Sequence, residues 1–342
     1  MFDWREVVLA AAEISASDVF WKAGTHPHIR AQGKVRCWDQ YPIVPAEMTE
    51  AMAQELMTER QWGLFEEVPE RDVGLTLGEA CRLRINIYKQ QNTIGLAIRI
   101  IPLEIMTVDD LELPPVLKDI AMSPQGVCLV TGPTGCGKST SLAAMINHIN
   151  ENREANIVTI EDPIEYVHRD KKSIVNQREV GIDTMSFRDA MKYVVRQSPD
   201  VILIGEMRDV ETMEVAMQAA ETGHLVFSTV HTSSASETME RIINMFPPHE
   251  RELTQTRLAS LLVGILCQAL VPTIDGTGRV AAIEVLLANP AVRNLIREGK
   301  TFQIPNTIQM NTQHHMELLD QALVRLWKTG KISKGSAWEF CN

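Results

Sequence analysis

Residues 132–139 read Gly132-Pro133-Thr134-Gly135-Cys136-Gly137-Lys138-Ser139, and Thr140 follows. The spacing is G-x-x-x-x-G-K-[ST], a loop suited to holding phosphate groups. Its flanks commit the chain to a strand–loop–helix unit. Gly126 to Thr131 is a short apolar run that fits a buried strand. From Lys138 to Asn150 the residues Leu142, Met145, Ile146 and Ile149 recur at helical spacing. A triphosphate is a dense anion. Backbone N–H groups of a glycine-rich turn and of a helix N-terminus can surround it, and the helix dipole favours negative charge there. Glycine lets the backbone approach closely and take positive φ. Lys138 is expected to reach the β- and γ-phosphates, and the Ser139 hydroxyl to meet Mg2+.

After this unit, strands and helices alternate as in a doubly wound parallel sheet. Ile157 to Ile160 is an apolar run ending in Glu161-Asp162-Pro163. Val201 to Ile204 ends in Gly205-Glu206, and Leu225 to Val230 lies between His224 and His231. Ligands of open α/β sheets bind beyond the carboxyl ends of the strands, so these polar groups gather where the phosphate loop begins. Glu206 is the acid that can orient or deprotonate an attacking water, or reach Mg2+ through water. Gly205 stands where an aspartate is commoner. Glu161 is favoured over Asp162, which can be read as a cap before Pro163. His224 and His231 are seven residues apart and point to opposite faces of one continuous strand, His231 at its carboxyl end.

Residues 1–100 read as a separate α/β module. Trp4, Val7, Val8, Ala11, Ala12 and Ile14 share one helical face. Short strands follow at 19–21, 28–30 and 34–36, then a helix from about Pro45 to Thr58. Two alternating strands follow, Cys81 to Tyr88 and Ile94 to Ile100. Arg82, Arg84 and Asn86 share one face of the first. That face is either simply solvated or turned toward the triphosphate across a cleft. Residues 101–115 hold three prolines and little periodicity, as a linker does, leaving 116–342 as the second domain. The apolar run from Leu258 to Val271 contains Ser260 and Gln268 and is expected as a buried helix closed by Pro272.

The formal net charge is −11 with no long basic run, which argues against a nucleic-acid partner. None of the six cysteines forms C-x-x-C, so zinc and redox signatures are absent, and free thiols suit a reducing cytoplasm. Asp3, Arg5 and Glu6 near the start, without an apolar h-region, predict no leader. No run is long enough to span a bilayer.

Four stretches together resemble the secretion ATPase superfamily, and within it the PilT-like retraction ATPases of bacterial type IV pili. They are GPTGCGKST at 132–140, IVTIEDPIEYVH at 157–168, RQSPDVILIGEMRD at 196–209 and TGHLVFSTVHT at 222–232. Arg293-Asn294-Leu295-Ile296-Arg297-Glu298 is similar to the C-terminal signature of retraction enzymes, with Val292 in place of isoleucine, a volume-conserving change. The resemblance implies a RecA-like P-loop core with a parallel-rich sheet and C-terminal helices, preceded by a smaller PAS-like α+β domain. It implies a homohexamer using ATP and Mg2+. Glu206 would be the catalytic base, Glu161 a water or metal partner, and His224 and His231 nucleotide sensors. Arg82 and Arg84 would neutralise phosphate charge as the domains close about the linker. The ring would act on an inner-membrane platform protein from the cytoplasmic side, alone or with a paralogous retraction ATPase. An accessory paralogue or a related secretion or DNA-uptake ATPase is the alternative within the superfamily. From other classes come a RecA-like nucleic-acid translocase, disfavoured by the charge, and a slow nucleotide-binding switch, disfavoured by intact Lys138, Ser139 and Glu206.

Overall fold

A computed structural model describes every residue except Met1, Ser15, Gln32, Arg208 and Asn342, and the side chain of Pro102. Its contacts divide the chain into two units, Met1–Glu104 and Ile105–Asn342.

The first unit begins with α1 (Trp4–Glu13), started by Asp3, whose side chain accepts from the Arg5 N–H. Strands β1 (Asp18–Lys22), β2 (His28–Ala31) and β3 (Lys34–Cys37) follow, then α2 (Ala46–Leu56) and α3 (Glu59–Glu67). Strands β4 (Glu70–Leu77), β5 (Cys81–Gln90) and β6 (Thr93–Pro102) complete it. The sheet order is β3-β2-β1-β6-β5-β4, and every pairing is antiparallel. Cys81, Leu83, Ile85 and Ile87 of β5 are buried in one cluster with Trp4, Val7, Val8 and Ala11 of α1 and Met48, Met52 and Ala53 of α2. Arg82, Arg84 and Asn86 alternate with them on the other, half-exposed face, and Asn86 donates to Asp72 at 3.2 Å.

The second unit runs α4 (Val116–Ala121), β7 (Gly126–Thr131), α5 (Lys138–Asn152), β8 (Asn156–Glu161), β9 (Ile174–Glu179), α6 (Phe187–Val194), β10 (Val201–Ile204), α7 (Val210–Glu221) and β11 (Leu225–Val230). It continues with α8 (Ala235–Met245), α9 (Arg251–Leu261), β12 (Leu262–Pro272), β13 (Arg279–Leu287), α10 (Pro290–Arg297), α11 (Ile304–Met310), α12 (Leu319–Lys328) and α13 (Lys334–Glu339). The sheet order is β13-β12-β7-β11-β10-β8-β9. Only the β12–β13 pairing is antiparallel. Neighbouring residues of β7 go to opposite faces. Val127 and Leu129 pack with α6–α9, and Cys128 and Val130 with α4 and α5. Both faces are therefore covered at the centre of the sheet, which is why the central parallel strands read as continuous apolar runs.

The run at 258–271 corrects the expected buried helix. Leu258 to Leu261 end α9, and Leu262 onward is a strand held between β7 and β13. A continuous apolar run does not distinguish a buried helix from a central strand by period, and here strand pairing on both sides decides it.

The stretch expected as a linker is shared between the units. Residues 101–102 end β6. Val108 and Leu113 are buried against α4 and α5, and Thr107 and Asp110 bond each other's backbone N–H groups at 2.9 and 3.1 Å. No helix among the described residues is long and apolar enough to cross a membrane.

Candidate active site

The carboxyl ends of β7, β10 and β11 lie side by side, because Thr131 pairs with Val230 and Ile204 with Ser228. The phosphate loop leaves β7 there. Gly132, Gly135 and Gly137 all take positive φ, at 137°, 79° and 90°. A Cβ on Gly132 would stand 2.3 Å from the Gln268 carbonyl oxygen, so only glycine fits. At Gly135 a Cβ would meet nothing within 4 Å, so there the demand comes from φ and the loop opens outward.

Lys138 opens α5 and is 9% exposed. Its ammonium donates to the carbonyls of Gly132 at 2.8 Å and Pro133 at 3.0 Å. It also lies 3.5 Å from Nδ1 of His231, the residue just after β11. Nε2 of His231 is 3.2 Å from Oε1 of Glu206. An ammonium can only donate, so Nδ1 accepts, and the neutral ring then carries its proton on Nε2 toward Glu206. Lys138, His231 and Glu206 thus form one chain of contacts across three strand ends.

Glu206 is held from below. Ser228 Oγ donates to the Ile204 carbonyl at 2.7 Å, Thr229 Oγ1 to the Gly205 carbonyl at 2.6 Å, and the Met207 N–H to the Thr229 carbonyl at 3.2 Å. Gly205 has a steric reason. A Cβ there would lie 3.3 Å from the Ile160 carbonyl oxygen and 3.4 Å from Cα of Glu161. Arg241 donates to the His231 carbonyl at 2.9 Å.

Glu161 ends β8, beside Gly205. Thr159 donates to its carboxylate at 2.6 Å and Gln177 at 3.1 Å. Burial nevertheless pushes the Glu161 carboxyl above its ordinary value, outweighing these bonds. Gln177 also donates to the Tyr166 carbonyl at 2.8 Å and accepts from the His168 N–H at 2.7 Å, which folds residues 162–168 back over β8. Tyr166 then reaches α5, its hydroxyl 2.8 Å from Oγ1 of Thr140. Burial lowers His168 to about 4, so it is neutral at physiological pH.

A family model described as "Type II/IV secretion system protein" matches residues 73–326. The type IV pilus retraction ATPase PilT of Pseudomonas aeruginosa is 42% identical over 98% of this chain and 97% of its own. The type IV pilus ATPase PilU of the same organism is 40% identical over 97% of this chain and 86% of its own. A crystal structure of the pilus retraction motor PilT with bound ADP superposes with a TM-score of 0.93 at 42% identity, covering 100% of this chain and 97% of that one.

The chain belongs to the PilT-like ATPases of the type II/IV secretion family.

Its chemistry is ATP hydrolysis, and the α/β fold with a parallel-rich sheet is that of the family. Against the family's expected site, the structure brings together Gly132 to Thr140, His231, Glu206 and Glu161. His224 stands elsewhere. It precedes β11, seven residues before His231, about 23 Å away at the usual rise. Its Nδ1 is 2.7 Å from the Ala219 carbonyl and 3.1 Å from Thr222 Oγ1, at the end of α7. Within one chain it stands at the amino end of β11, away from the phosphate loop. It lines a groove of about 1090 Å3 with Leu253 and Arg257 of α9 and Arg188 of α6. Arg82 and Arg84 stand on β5 of the first unit.

The PilT-like signature splits by role. Val292 and Ile296 are buried in the core. Arg293 donates to the carbonyls of Ala288 at 3.1 Å, Ser260 at 2.6 Å and Leu262 at 3.0 Å, and also to that of Ala259. It therefore closes the C-terminal end of α9, where unpaired carbonyls and the dipole favour a cation. Asn294, Arg297 and Glu298 are exposed, with Asn294 donating to Glu298 at 2.8 Å.

Gln177, Tyr166, Arg241 and Gln268 were not found from sequence. Gln268 alone carried a signal, as a polar residue inside an apolar run.

Proposed function

We propose that this chain is a homohexameric motor that couples Mg-ATP hydrolysis to domain closure and drives type IV pilus retraction. The contact chain Lys138–His231–Glu206 carries the reading, because it joins a phosphate-seeking ammonium to a carboxylate placed to work on water. The Lys138 ammonium donates to its own loop's carbonyls. ATP draws it to the β- and γ-phosphates. His231 then changes partner, which passes the presence of the γ-phosphate to Glu206. Glu206 orients and deprotonates the attacking water. Glu161 holds that water's neighbour shell from β8.

The donor set fits Mg2+. Ser139 stands half-buried on the first turn of α5, and no group of three or more His, Cys, Asp or Glu among the described residues could hold a metal alone. The Ser139 hydroxyl would hold the ion beside the phosphate oxygens. When bound, Mg2+ would neutralise charge on those oxygens. Arg82 and Arg84 of the first unit, read as a PAS-like domain, would supply further positive charge on closure about residues 101–115. The ring would sit at the cytoplasmic face of the inner membrane against a platform protein, and a paralogous retraction ATPase would be a second partner.

The accessory reading is kept, because identity to PilU, 40%, is close to that to PilT, 42%. Complementation separates the two. In a host lacking its own retraction ATPase, this chain is expected to restore twitching unaided; restoration only alongside a second retraction ATPase would assign it the accessory role.

A further inference from the structure

Gln268 lies in the middle of β12 and is 5% exposed. Its Nε2 donates to the Cys136 carbonyl at 2.8 Å, and its Oε1 accepts from the Ser141 hydroxyl at 2.7 Å. A carbonyl can only accept, which fixes the orientation of the amide. The same residue shapes both ends of the phosphate loop. Its carbonyl oxygen would lie 2.3 Å from a Cβ on Gly132, and its Nε2 2.8 Å from a Cβ on Gly137.

In a trans peptide the carbonyl of one residue and the N–H of the next point in opposite directions. Holding the Cys136 carbonyl toward β12 therefore turns the Gly137 N–H away from β12, toward the open side of the loop. We propose that Gln268 is a positioning residue for nucleotide binding, fixing the Cys136–Gly137 peptide so that the Gly137 N–H is presented to phosphate. This rests on the nucleotide reading of the loop. Without the Nε2 donor the peptide can rotate, because glycine at 137 offers little resistance. An N–H on a phosphate that is not itself transferred acts chiefly on nucleotide binding, so its loss raises KM more than it lowers kcat.

The test measures mant-ADP affinity, steady-state ATP kinetics and melting temperature for the full chain. The variants are Gln268→Leu, which removes both bonds, and Gln268→Glu, which keeps the acceptor for Ser141. Leu266→Ala on the same strand is a packing control with no bond to the loop. Both Gln268 variants are expected to bind mant-ADP about tenfold more weakly and to raise KM about tenfold, with kcat within about threefold. Leu266→Ala is expected to melt lower with affinity within about twofold. Wild-type affinity in both Gln268 variants would overturn the proposal, as would an equal loss of affinity in Leu266→Ala. If the wild-type chain itself fails to bind mant-ADP, the nucleotide reading falls, and this proposal with it.

Discussion

Glu161 shows how one side chain carries a cost for function. Its carboxyl is raised because burial penalises the charged form more than Thr159 and Gln177 favour it. The folded state therefore binds this proton more tightly than the unfolded state. Its effect on stability is most favourable below the ordinary carboxylate range and is lost as pH rises through the raised value. Glu161→Gln removes that loss and keeps an acceptor for Thr159. At pH 7.5 the variant is expected to melt about 2–4 °C above wild type. The gap should close as pH falls toward the ordinary Glu value near ~4.3, and ATP turnover by the variant should be lower than by wild type. Thermal melts across pH decide it: a gap that is constant with pH would assign the effect to packing. Some of this residue-level detail was legible in the sequence. The loop glycines, Lys138, Ser139, Glu206, Glu161 and His231 each sit where a strand end places them. Gly205 reads in the sequence as a departure from an aspartate, and only the backbone of β8 explains it. Gln177 and Tyr166 could not be read, because their bonds depend on how residues 162–168 fold back.

At the scale of elements, α10 illustrates why a sequence signature need not be one site. Arg293 turns inward to the end of α9, and Arg297 outward to solvent. Arg293→Ala leaves several carbonyls without a donor and is expected to cost about 2 kcal/mol of stability in denaturant unfolding. Arg297→Ala is expected to leave stability within about 0.5 kcal/mol and nucleotide binding intact, while impairing retraction in cells. Loss of nucleotide binding in Arg297→Ala would place that residue in the phosphate site instead. The elements legible in the sequence include α1, β1 to β3, α2, β5, β6, α5 and the buried parallel strands. Sequence reading missed the half-exposed β4 and the polar edge strand β9, whose residues lack an apolar run. It took β12 for a helix because the flanking strands that define it are remote in sequence.

Across the whole molecule, two units with separate cores are carried on one chain. The second holds the complete strand-end constellation, and the first carries Arg82 and Arg84 on a face that its own core does not use. The proposed motor couples hydrolysis in the second unit to movement of the first. The measurement that tests this most directly is ATP hydrolysis by the purified chain beside Glu206→Gln, with native mass read on both. The account predicts a six-chain species in each case, nucleotide binding in each, and hydrolysis reduced at least about 100-fold in the variant. Undiminished hydrolysis in Glu206→Gln would contradict the assignment of the base, and hydrolysis by a stable single chain would contradict the ring motor.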